Sequence, residues 1–139
     1  MGYKRKKKSG RAVDWKIAPD IKKRILHLSK ALELNWIITS RIYCFRSNYS
    51  SSRAYARIWG LSRVWQIALK INPSYIIEVL SERFDNLSPK EKDRVLLHEI
   101  AHIPKNFSGS LLPHVRRGNR KFEDRVNSLI FEYLNNGKI

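Results

Sequence analysis

The chain has 139 residues and a formal net charge of +16, with 28 Lys and Arg against 12 Asp and Glu. That length suits one domain with a core of modest size rather than two independent units, and 42% apolar residues with four Trp exclude a wholly disordered basic tail. The longest uninterrupted apolar run, Ile42 to Phe45, is far below the roughly 18 residues that span a bilayer, and the N-terminus has no signal-peptide stretch, so a soluble cytoplasmic protein without a membrane partner is expected.

Residues 1–11 carry Lys4, Arg5, Lys6, Lys7, Lys8 and Arg11 with no acid, which predicts a flexible basic arm ahead of a single domain over 12–139. That domain still holds +10, so the basic character is not confined to the arm. From Pro19, the spacing of Ile21, Ile25, Leu28 and Leu32 predicts a helix to about Leu34, with Pro in its first turn and Asp20 at the positive end of its dipole. The β-branched and aromatic run Trp36 to Phe45 predicts a strand. The serines between Ser47 and Ser52 read as a loop, and Arg53 to Trp59 carries no decisive pattern. Val64 to Leu69 reads as a second strand and Tyr75 to Leu80 as a third, with a turn at Asn72 and Pro73 making a hairpin plausible; Tyr75 to Phe84 also suits a helix.

Ser88, Pro89, Lys90 and Glu91 form a capping-box pattern, predicting a helix that Pro104 ends. Its apolar residues point in nearly every direction, as in a buried central helix. Pro104 to Gly118 reads as a loop, and a closing helix carries Phe122, Val126, Leu129, Ile130, Tyr133 and Leu134 inward. The fold class expected is α+β: an N-terminal helix, a sheet of about three strands, antiparallel or mixed, a central helix packed on it and a C-terminal helix.

The central helix contains His98, Glu99, Ile100, Ala101, His102, an H-E-x-x-H pattern. Residues four apart on a helix lie about 40° apart, so both imidazoles can close on one zinc ion. Glu99, about 100° away, can reach a water on that ion and act as general base in its attack on a carbonyl. With this composition a shuffled chain would contain about 0.006 such matches, so chance is a poor explanation. The bland alternative is a pair of hydrogen-bonded core histidines beside a surface glutamate. A third ligand is needed. His114, twelve residues on and just after Pro113, is favoured over Glu123; Asp124 is a further candidate. Asp93, Glu123 and Asp124 can accept from the imidazoles' free nitrogens. Arg116, Arg117 or Tyr133 can donate to a developing oxyanion. His27 reads as a surface residue. Cys44, the one cysteine, excludes an intramolecular disulfide and a multi-cysteine zinc site.

The run HEIAHIPKNFSGSLLPH, His98 to His114, resembles the signature of a metallopeptidase family found in archaea and phages, as do CFRS at Cys44 to Ser47 and ARIWGL at Ala56 to Leu61. The likeness covers about Trp36 to Arg116. It implies a minimal zincin of SprT-like layout that cleaves protein or peptide substrates, with His98, His102 and His114 as zinc ligands and Glu99 as catalyst. The only methionine is Met1, so a Met-turn is excluded. Two rival classes stand beside this reading: a nucleic-acid-binding module with a structural or vestigial metal site, and a metallohydrolase of non-peptide bonds. The charge separately predicts non-specific DNA or RNA binding, with Lys4, Arg5, Lys6, Lys7 and Lys8 contacting phosphates, while the aromatics read as core residues.

Overall fold

The computed structural model describes residues 11–114 and 121–136. The arm expected over residues 1–11 therefore lies outside the described residues except for Arg11. The architecture is α+β. Its elements in chain order are β1 (Asp14–Ile17), α1 (Pro19–Ala31), a 3-10 turn (Thr39–Arg41), β2 (Ile42–Asn48), β3 (Ala56–Gly60), α2 (Arg63–Leu69), β4 (Tyr75–Leu80), α3 (Ser81–Phe84), α4 (Pro89–Ala101) and α5 (Lys121–Asn136). The four strands form one mixed sheet in the order β1-β2-β4-β3, with β2 and β4 parallel and the outer pairs antiparallel.

Side chains alternate across a strand, so each strand offers the core every second residue. Ile42 and Cys44 of β2, Ile77 and Val79 of β4 and Ala56 of β3 join Ile21, Ile25 and Leu28 of α1 and Leu96, Leu97 and Ile100 of α4 in one buried cluster. Full burial of each large aliphatic side chain contributes about 1.5–3 kcal/mol. α5 packs on α4 from outside, bringing Phe122, Val126 and Ile130 into the same cluster. Across the α1, α4 and α5 interface, Arg24 donates to Asp93 and to Tyr133, and the Tyr133 hydroxyl donates to Asp93. Among the described residues, no helix is long and apolar enough to cross a membrane.

Helices α1, α4 and α5 appear where periodicity places them, and the Ser88 capping box forms, with Ser88 Oγ accepting from the Glu91 N–H and Glu91 reaching back to the Ser88 N–H. Four sequence expectations are corrected. Val64 to Leu69 is helix α2 rather than a strand, so the hairpin with Tyr75 to Leu80 does not exist. The strand expected from Trp36 starts only at Ile42; Lys22 donates to the carbonyls of Thr39 and Ile42, tying the preceding 3-10 turn to α1. The sheet has four strands rather than about three, because Asp14–Ile17 and Ala56–Gly60 both join it. Finally, not all aromatics are core residues: Trp15, Tyr43 and Trp59 are 46%, 50% and 45% exposed.

Candidate active site

The capping box starts α4 at a fixed point, and nine further residues of regular helix carry His98 and Glu99 to the level of β3. His102 is the C-cap of α4 and keeps αR backbone angles. Glu99 and His102 are buried, His98 is half-buried and His114 is exposed. The loop after α4 returns His114 to this group, so that one nitrogen of each of His98, His102 and His114 lies within 4.8 Å of the others. The Nε2 atoms of His98 and His114 are 3.1 Å apart. Phe122 lies against all three imidazoles, its ring stacked on His102 at 4.3 Å between centroids.

Each member is held by identifiable contacts. His102 Nδ1–H donates to the Leu112 carbonyl at 2.5 Å, and the Leu112 N–H donates back to the His102 carbonyl at 2.7 Å. The first bond leaves the Nε2 lone pair of His102 as the free donor atom. Burial, then the neighbouring His102 and His114, push His98 down to about 4, and burial lowers His102, so both rings favour the neutral form that a metal ion requires. Burial pushes Glu99 up to about 8. Among the described residues, no group donates a hydrogen bond to its carboxylate.

The loop from Pro104 to His114 is shaped by residues far away in sequence. Phe107 and Gly109 take positive φ values, +48° and +98°. The Tyr75 hydroxyl accepts from the Gly109 N–H and donates to the Ser110 carbonyl, both at 2.8 Å. Gln66, the buried residue of α2, donates to the carbonyls of Leu61 and Ser108 at 2.8 and 2.9 Å. Gly60 and Gly109 touch so closely that a Cβ on Gly60 would lie 2.1 Å from the Gly109 oxygen. From α5, Arg125 donates to the carbonyls of Ala101 and Ile103 at 2.9 Å each, satisfying the C-terminal end of the helix that bears the histidines. Sequence reasoning missed Gln66, Tyr75 and Arg125 because their partners are backbone atoms, which no spacing rule reveals.

The three histidines and Glu99 line a cleft of about 960 Å³ bounded by α4, α5, Ala54 and Tyr55, and β3 from Ala56 to Ile58. Other expected residues go elsewhere. Asp93 and Tyr133 are bonded to Arg24 and to each other, outside the cleft lining, so the acceptor for His102 is the Leu112 carbonyl. Asp124 is exposed, and the histidine cluster does not include it. The side chain of Glu123, like Arg116 and Arg117, lies outside the described residues. His27 is half-buried rather than on the surface, its ring edge-on to Tyr133. Cys44 is a free thiol in the core, where burial pushes it up to about 11.

Three imidazoles converging from a helix turn and a loop are a donor set that can hold one metal ion. A family model described as "Putative phage metallopeptidase" matches residues 13–129, taking in all four strands and every cleft-lining residue except Ile130. No curated protein and no solved structure matches the chain.

Proposed function

The chain belongs to this phage metallopeptidase family, and on that premise we propose that it hydrolyses peptide bonds with one zinc ion held by His98, His102 and His114 and with Glu99 as the base. The observation that carries this reading is the convergence of three imidazole nitrogens beside a buried carboxylate in one cleft. When bound, zinc supplies Lewis acidity toward a carbonyl oxygen and lowers the pKa of water. His98, His102 and His114 would hold the ion with three protein ligands, the number of catalytic zinc sites, whereas closed structural sites use four.

The chain's own residues do the rest. The Leu112 carbonyl holds His102 in one tautomer, and Phe122 keeps the rings in place and limits water on that side. Glu99 takes a proton from the attacking water and returns it to the leaving amine. β3 is an edge strand whose outer side faces the cleft, so its unpaired N–H and C=O groups can receive a substrate peptide as an added strand. This orients the scissile bond along the floor of the cleft and explains why a protein or peptide suits the site better than a compact small molecule.

The test measures metal content and peptide hydrolysis together. Glu99→Gln should keep about one zinc per chain and lose hydrolysis, while His98→Ala and His102→Ala should lose both. His114→Ala should weaken zinc binding strongly and Glu123→Ala by 10 to 100-fold at most. Unchanged zinc in the His98 and His102 variants would remove the ligand assignment, and a reversed order for His114 and Glu123 would exchange the third ligand.

A further inference from the structure

We infer that the face of the sheet opposite the helices is a binding platform for single-stranded nucleic acid, built on Trp15, Tyr43 and Trp59. Pairing register places these rings on one surface. Tyr43 and Trp59 both lie across from Ile76 in one row. Ile17, Phe45, Glu78 and Arg57 make the next row, and Trp15 opposite Ser47 the third. Successive rows are about 7 Å apart along the strands. Trp15 meets Trp59 and Phe45 edge-on at 6.4 and 6.5 Å between centroids, leaving much of each Trp open to solvent.

Cations flank these rings. The Arg57 guanidinium lies 5.4 Å from the Trp59 ring centre while paired with Glu78, and Lys22 Nζ lies 6.0 Å from that of Tyr43 while donating to the Thr39 and Ile42 carbonyls. Arg41 joins Tyr43, Trp59 and Ile76 around a hollow of about 330 Å³. The carboxylate of this face, Glu78, is fully buried and accepts from Ser47, Arg57 and Trp59, so it offers no negative charge to a ligand. Rings with open faces stack on bases whatever the sequence, and Arg41 at the hollow can take a phosphate. The chain's +16 charge opposes a second copy of itself on this surface and favours a polyanion. Single strands are specified because a duplex hides its base faces in its own stack.

The test uses the full chain with fluorescein-labelled oligo-dT and oligo-U of about 20 nucleotides and a duplex of equal length, followed by anisotropy and tryptophan quenching from about 50 to 200 mM salt. The expected result is tighter binding of the single strands, with tryptophan emission quenched. Tyr43→Ala and Trp15→Ala should each weaken binding about 5 to 100-fold with the salt slope unchanged. Tyr43→Phe and Trp15→Phe should retain it, and circular dichroism identifies any variant that fails to fold. Equal affinity for duplex and single strands, with ring variants binding as the wild type, would overturn the platform and leave charge alone. Binding to phosphatidylserine vesicles without binding to either oligonucleotide would overturn it in favour of a lipid surface. Neither reading involves peptide cleavage, so the outcome stands apart from the roles proposed for Glu99 and the histidines.

Discussion

His98 and His102 stand on a helix, whereas His114 arrives on a loop, and the two parts of the site are stabilised by different means. In α4 the separation of the two imidazoles follows from helix geometry, and the helix is secured by its capping box and by burial of Leu96, Leu97 and Ile100. The Phe107 to His114 loop has no such internal repeat. Its course depends on two positive φ angles, the contact between Gly60 and Gly109, and side chains sent from α2 and β4. The helix sets an imidazole pair locally; the loop's imidazole is set by the whole sheet end against which it rests. Damage to the helix cap should therefore cost stability alone, and damage to the loop's supports should cost metal affinity as well.

The strongest challenge to this contrast is Gly109→Ala. The new Cβ would lie 2.3 Å from Gln66 Nε2 and 2.4 Å from the Leu61 oxygen, at a φ of +98°. We expect a loss of about 2–4 kcal/mol in denaturant unfolding and at least about tenfold weaker zinc binding in a competition titration. Tyr75→Phe is the gentler probe: it leaves the Gly109 N–H and the Ser110 carbonyl without their shared partner, costing about 1–3 kcal/mol and several-fold in zinc affinity. The smallest effect should come from Ser88→Ala, which removes the cap of α4 for about 1 kcal/mol and leaves zinc affinity unchanged. If Ser88→Ala weakened zinc binding as much as Tyr75→Phe, the loop would not be the adjustable half of the site.

The same contrast explains what could be read from the residues alone. His98, Glu99 and His102 are legible because a helix converts spacing into direction, and α1, α4 and α5 because their apolar stripes face a core. α2 reads as a strand for a physical reason. Val64, Trp65, Ile67 and Leu69 point to solvent and Gln66 points inward, so the helix has no apolar stripe facing the core, and its β-branched content resembles a strand. The exposed rings of Trp15, Tyr43 and Trp59 are likewise indistinguishable by residue type from buried ones. The start of β2 is not legible because Trp36 to Ile38 are as apolar as a strand but precede a 3-10 turn pinned by Lys22, a contact made across the fold.

The position of β4 within the sheet also bears on the order in which the molecule can assemble on the ribosome. β4 bonds to β2 on one side and to β3 on the other, yet it follows both in the chain. Until Tyr75–Leu80 has been synthesised, β1 and β2 form the one strand pair available among the described strands, and a two-stranded ribbon is marginal by itself. β3 emerges with both edges unpaired and waits for its partner. Once β4 arrives, three strands join at once, and α4 follows in the chain to cover them. Closing such long-range pairs is slow compared with forming a helix, so the histidine-bearing helix has its supporting surface only after this late step.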